Sequence, residues 1–273
     1  MSKALVKFGL VLAVAAFLAG PLPLAVSCAT AAEVNEALDQ KAAEFKDQIA
    51  AADIQLMITG AQRLAQAVQA RDLNGTRQAW IETHAVWMRC EAFTADLFPG
   101  LEKKINGTDK PQTGFHAIEQ TLFAQQPTID MAIVQQLIED LQTYQHVFGQ
   151  GNWTGYFLLA SSSTYTFEMG DIMGDGGESP VSGNSLADFQ NGLTGVERVW
   201  KFMFADTVRA KDHYKAEEID DQFAALHSLL GVPALDGLPP DLFTGEATKL
   251  AAMLADTAPM FGYRKPNYTD IGE

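Results

Sequence analysis

Apolar residues recur at helical spacing along most of this chain. Between residues 33 and 70, Leu38, Phe45, Ile49 and Ile54 follow one another at intervals of seven, four and five. Similar spacing returns after each cluster of Gly, Pro and Asn, and no useful stretch alternates apolar and polar residues as a half-buried strand does. The pattern predicts helices over about 33–70, 76–98, around His116, 127–148, 152–168, 185–203, 216–230 and 245–260.

These elements predict an all-α protein with seven or eight helices. With 273 residues, 47% of them hydrophobic, the chain is long enough to bury a large core. Helices in this number favour two four-helix bundles that pack together or share long helices. The glycine-rich segment at residues 170–183 is the predicted hinge between the two halves.

The N-terminus has the pattern of an export signal. Lys3 and Lys7 precede an apolar run from Phe8 to Leu18, and small residues follow at Ala29-Thr30-Ala31. We therefore predict a signal peptide over residues 1–31, a helical domain over residues 32–273 and a periplasmic location. A looser lipoprotein pattern ends at Cys28, so a lipid anchor there is the alternative.

Charge and cysteine content limit the partners and the covalent bonds that this protein can have. The net charge is −15, and removal of Lys3 and Lys7 with the leader takes it to about −17. Such a surface attracts cations and disfavours nucleic acid. After cleavage Cys90 is the one remaining cysteine, which excludes an internal disulfide and favours a small buried side chain.

One short run carries side chains suited to metal chemistry. In Gly114-Phe115-His116-Ala117-Ile118-Glu119, the imidazole of His116 and the carboxylate of Glu119 are three residues apart. On a helix this spacing puts both on one face, close enough to share a metal ion or a proton. Glu91 lies on the apolar face of the preceding helix, where a carboxylate needs a partner such as a cation or Arg89.

The same residues resemble a known family. Thr113 to Glu119 followed by Leu122-Phe123, together with the earlier Trp87, Arg89 and Glu91, is similar to the imelysin family and to its branch of periplasmic iron-uptake proteins with a GFHxIE run. The segment from Asn184 to Asn191, followed by Gly195, is similar to the second recurring segment of that family. The resemblance implies a bundle of helices and a metal site.

The resemblance also implies which residues hold the metal. It adds Glu91, from the Arg-x-Glu stretch, and Glu168, a later glutamate before the glycine-rich loop, to His116 and Glu119. This nitrogen and oxygen set suits iron, zinc, manganese or copper rather than a sulfur-seeking ion. The resemblance to iron-uptake proteins favours iron, with zinc or copper as alternatives. The chain departs from the iron-uptake branch at Met88 and Asn106, where acids are expected, and also around Asn184. Fewer acids should weaken the binding of Fe(III).

The leading hypothesis is a periplasmic protein that captures or delivers a metal ion, with a membrane permease or a peroxidase of an iron-uptake system as partner. The first alternative is a metallopeptidase of the imelysin type, although the sequence lacks the His-Glu-x-x-His motif of zinc peptidases. The second is a protein that binds an acidic polysaccharide through the metal. No catalytic residue is assigned.

Overall fold

The computed structural model describes residues 31–94, 97–107 and 113–269. Within these residues the secondary structure is helical and contains no strand, so the predicted all-α class is confirmed. The predicted signal peptide and the alternative anchor at Cys28 lie outside this part of the chain, except for Ala31. No helix in it combines the length and the apolar character that crossing a bilayer requires.

Eleven α-helices are formed by the described residues, and two pairs of them are continuous. A π-helical turn at Lys46–Ala50 joins α1 to α2, and another at Trp200–Phe204 joins α8 to α9, which leaves nine separate rods in this part of the chain. The helices are α1 (Ala31–Phe45), α2 (Ala51–Gln69), α3 (Leu73–Thr94), α4 (Pro99–Asn106), α5 (Gly114–Leu122), α6 (Met131–Phe148), α7 (Gly155–Gly174), α8 (Ser185–Val199), α9 (Ala205–Lys211), α10 (His213–Leu229) and α11 (Pro240–Ala255).

Helix α4 occupies a segment in which the sequence pattern predicted no helix. Pro99 stands at its start, where a missing N–H is harmless. Lys103 and Lys104 lie in its last turn beside the negative end of the helix dipole. Gly107 closes the helix in the left-handed conformation, with φ 86°. The helices predicted from the sequence stop at residue 98 and resume around His116, because the turn residues at 106–111 were given more weight than these helix signals.

The helices pack in two groups that meet along α3 and α8. In the first group α3 and α6 both pack on α2, and in the second α7 packs along α11, with α8 and α10 beside them. Trp80, Trp87 and Trp200 are completely or almost completely buried in the shared core. The predicted hinge at residues 170–183 covers the end of α7 and most of the loop to α8, and its role as a hinge stays a prediction.

Helix α8 lies unusually close to α3. A Cβ atom at Gly195 would lie 2.1 Å from the backbone oxygen of Arg89, so only glycine fits between the two helices. Beside this contact Cys90 is a free, fully buried thiol. Burial raises the pKa of Cys90 well above its ordinary value, as expected for a packing residue rather than a nucleophile. The close approach brings residues of α3 next to residues of α8.

A candidate metal centre

His116 is presented by the first turn of α5, against the end of α4. Gly114 begins α5 with φ 75°, and a Cβ atom there would lie 2.3 Å from the backbone oxygen of Ile105. The close contact between the two helix ends therefore requires glycine. Phe115 and Ile118 are buried three residues apart on one face of α5, and His116 lies on a different face of the helix.

The imidazole of His116 lies between two carboxylates from different parts of the chain. Its Nδ1 is 2.9 Å from Glu119 Oε2, and its Nε2 is 3.0 Å from Glu178 Oε1, in the loop between α7 and α8. Burial by itself lowers the pKa of His116, but the hydrogen bonds to Glu119 and Glu178 and their negative charges outweigh it and raise the pKa to about 10. At neutral pH the metal-free ring is therefore an imidazolium that donates to both carboxylates.

Glu119 forms hydrogen bonds with both the ring of His116 and the loop between α7 and α8. While one oxygen accepts from His116, the other accepts the backbone N–H of Ser182 at 2.8 Å. Burial opposes ionisation of Glu119, but the hydrogen bonds from His116 and Ser182 prevail and lower its pKa. The position of Glu119 at Nδ1 is that of a carboxylate that orients a metal-binding histidine.

Asn106 connects Glu178 to Glu91. Its amide Nδ2 donates to Glu178 Oε1 and to Glu91 Oε1, each at 3.2 Å, and Trp87 Nε1 also donates to Glu91 at 3.1 Å. Burial, followed by the negative charges of Glu178, Glu102 and Glu168, raises the pKa of Glu91 well above its ordinary value. Arg89, suggested by the sequence as the partner of Glu91, instead pairs with Asp53.

A second imidazole, that of His84 on α3, reaches the same place. The ring is fully buried and stacks on Trp80 with centroids 4.7 Å apart. Its Nδ1 lies 3.0 Å from Asp188 Oδ1 on α8, while its Nε2 has no hydrogen-bond partner among the described residues. A buried polar atom without a partner lowers the stability of the fold by about 1–3 kcal/mol. A metal ion bound to Nε2 of His84 would supply the missing partner.

His84, His116 and Glu178 form a group suited to a cation. Each offers one ligand atom, and these atoms lie within 4.8 Å of one another. Metal–ligand bonds of about 2.0–2.2 Å place neighbouring ligand atoms about 3–4 Å apart, so a small contraction would close the group around an ion. Two members of the group, His116 and Glu178, line a pocket of about 310 Å³ together with Glu119.

The structure brings together three of the four residues expected at the site. His116, Glu119 and Glu91 belong to one network that runs through Glu178 and Asn106. Glu168 lies on α7, partly buried, where its charge raises the pKa of Glu91, and it is not a member of the three-residue group.

Sequence reasoning did not select His84, Glu178 or Asp188 for the site. Glu178 lies in the glycine-rich segment at residues 170–183, which was predicted only as a hinge. For His84 a signal was present, because it shares the buried face of α3 with Trp87, Met88 and Glu91. A histidine on such a face needs a polar partner, but the sequence does not say which one.

The fold and the site together define the class of this protein. It is an all-helical protein in which imidazoles and carboxylates are brought together among the helices. The family model described as imelysin (Peptidase_M75) matches residues 42–254. The chain belongs to the imelysin family, as the sequence resemblance indicated.

One characterised relative adds detail. The chain is 23% identical over 188 residues to a protein named iron uptake system component EfeM, from Pseudomonas syringae pv. syringae (strain B728a). The match covers 65% of this chain and spans 65% of the length of that relative.

Proposed function

We propose that this protein binds a metal ion, iron in the first instance, and captures or delivers it for uptake. The observation that carries the proposal is the group of His84, His116 and Glu178, whose ligand atoms lie within 4.8 Å of one another beside a pocket. Imidazole and carboxylate together suit iron, and also zinc and copper. The name of the relative, iron uptake system component, supports iron as the cargo.

The surrounding acids have separate parts in the proposal. His116 and Glu178 bind the ion, and Glu119 orients His116 through Nδ1. Behind Glu178, burial and the surrounding negative charges, that of Glu168 among them, raise the pKa of Glu91, and this excess of negative charge favours a cation at this point.

The centre suits an ion that is passed on rather than kept. The side chain of His116 is 13% exposed, and the pocket reaches it from solvent. Three protein ligands leave coordination positions free, through which an ion can enter or be transferred to another ligand. We propose a membrane permease or a peroxidase of an iron-uptake system as the recipient, and the periplasm, reached by the N-terminal signal, as the location.

Metal analysis of purified, demetallated protein tests the proposal. The protein is dialysed against Zn(II), or against Fe(II) under anaerobic conditions, and the bound metal is measured by mass spectrometry. We expect about one ion per chain in the wild type and a loss of at least 10-fold in affinity in His116→Gln, because a metal ligand is removed.

The control is His213→Gln. His213 also lies 3.0 Å from a glutamate, Glu217, but both side chains are more than half exposed at the surface of α10. This variant should bind like the wild type. Equal metal content in the wild type and in His116→Gln would overturn the proposal.

A further inference from the structure

His84 is oriented by its neighbours in the fold, although it belongs to no sequence motif. Asp188 Oδ1 lies 3.0 Å from its Nδ1, and Asn184 Nδ2 donates to the same carboxylate oxygen at 2.9 Å. The indole of Trp80 covers one face of the ring with an interplanar angle of 15°. Trp80 in turn donates its N–H to the backbone oxygen of Phe115 at 3.0 Å, which ties α3 to the turn that carries His116.

The carboxylate at Nδ1 decides which nitrogen of His84 is free. A carboxylate accepts hydrogen bonds, so the ring proton of a neutral His84 belongs on Nδ1, facing Asp188. Nε2 then carries a lone pair, and it is the atom that has no hydrogen-bond partner among the described residues. This is the state in which an imidazole binds a metal.

The two histidines repeat one arrangement. Each has a carboxylate at Nδ1, Asp188 for His84 and Glu119 for His116, and their ring centroids are 5.7 Å apart. The carboxylates come from different elements, α8 and α5. The ligand-capable group therefore contains two imidazoles that are each oriented from behind, and one carboxylate, Glu178.

We infer that the ion carried by this protein is divalent and prefers imidazole ligands, as Fe(II), Zn(II) and Cu(II) do, and that His84 supplies the second nitrogen ligand. The inference rests on the proposed function and specifies its cargo. When the ion replaces the Nε2 proton of His116, the group offers two neutral nitrogens and one anionic oxygen, which are ligands that such ions select. A hard trivalent ion is best held by several anionic oxygens. Asp188 and Glu119 already face ring nitrogens, and Asn106 puts an amide donor on Glu178.

Spectroscopy of the full exported chain tests the ligand assignment directly. Cu(II) is added in less than stoichiometric amount, and pulsed electron paramagnetic resonance counts the coordinated imidazoles. We expect two in the wild type and one in His84→Gln. If His84→Gln fails to fold, as judged by circular dichroism, the wild-type spectrum still decides, because a single imidazole there would overturn the inference.

Competition tests the charge of the ion. Zn(II), and Fe(II) under anaerobic conditions, are compared with Fe(III) nitrilotriacetate, after correction for the chelator. The wild type should favour the divalent ions by at least 10-fold. In Asp188→Asn, which removes the carboxylate behind His84, the affinity for Zn(II) should fall about 10- to 100-fold. Fe(III) binding should change less than Zn(II) binding in this variant.

The outcomes separate the inference from the proposed function. Fe(III) bound as tightly as the divalent ions, or Zn(II) affinity unchanged in Asp188→Asn, would overturn the inference while metal binding at His116 stands. A wild-type protein that binds none of these ions would overturn the proposed function, and the inference with it.

Discussion

The two ring nitrogens of His116 contact two carboxylates, and each carboxylate accepts a further hydrogen bond from a different group. Glu119 also accepts the backbone N–H of Ser182, whereas Glu178 also accepts from the amide of Asn106. Glu119 therefore has the geometry of an orienting group, and Glu178 that of a ligand next to the pocket. This difference can be tested by changing one carboxylate to an amide.

Glu119→Gln should weaken metal binding while the fold is retained. The amide keeps one oxygen acceptor but loses the charge that holds His116 by its Nδ1–H. We expect the affinity for Zn(II) to fall about 10- to 100-fold, as measured by titration calorimetry. Glu218→Gln, on the exposed face of α10, is the matched control and should bind like the wild type. An unchanged affinity in Glu119→Gln would show that Glu119 does not orient the ring.

The raised pKa of His116 predicts how the stability of the metal-free protein depends on pH. Because the pKa rises from 6.5 to about 10 on folding, the imidazolium stabilises the folded state fully below pH 6.5. This contribution shrinks as the pH rises and is lost as the pH passes 10. In the presence of a chelator, urea unfolding of the wild type and His116→Gln should therefore differ more at pH 6 than at pH 10.

The same two measurements on His213→Gln provide the baseline. The exposed side chain of His213 should contribute no more than about 0.5 kcal/mol at either pH. A difference between the wild type and His116→Gln that grows with pH would contradict the assignment of the charge to His116.

At the scale of elements, the contact between α3 and α8 positions the centre. His84 and Glu91 lie on α3 and Asp188 lies on α8, so the distance between these helices sets the hydrogen bond of His84 to Asp188. At Gly195 the two helices are so close that a Cβ atom would lie 2.1 Å from the backbone oxygen of Arg89. If α3 and α8 moved apart here, Asp188 would no longer orient the imidazole of His84.

Gly195→Ala should destabilise the protein by about 1–3 kcal/mol, because the added methyl group would overlap the backbone of Arg89 and push the helices apart. Gly245→Ala is the control. It is exposed on α11 with no atom within 4 Å of the added Cβ, so the helix preference of alanine should stabilise it by up to about 1 kcal/mol. Both changes are measured by urea unfolding, and equal effects would refute the close contact.

At the scale of the whole molecule, one buried carboxylate connects three long helices. Asp53 on α2 is 4% exposed, and its oxygens accept from Arg89 on α3 at 3.0 Å and from Arg198 on α8 at 2.6 Å. This network joins the two groups of helices. Loss of this network should lower the free energy of unfolding of the whole protein.

Asp53→Asn should lower the free energy of unfolding by about 1–3 kcal/mol, since two guanidinium groups lose the charge that faces them. The matched control is Asp47→Asn. Asp47 pairs with Lys46 but its side chain is 70% exposed, so its effect should stay below about 0.5 kcal/mol. Urea unfolding measures both, and similar values for the two variants would show that the network does not join the helices.

The sequence alone determined the all-α class, most helices and the face shared by His116 and Glu119, because helical periodicity is encoded in residues three and four positions apart. It also put Glu91 on a buried face of α3. Only the tertiary structure decided that Glu178 and His84, far from His116 in sequence, meet its ring. Such contacts depend on how closely helices pack, as at Gly195. The spacing of residues along the sequence does not determine the distance between helices.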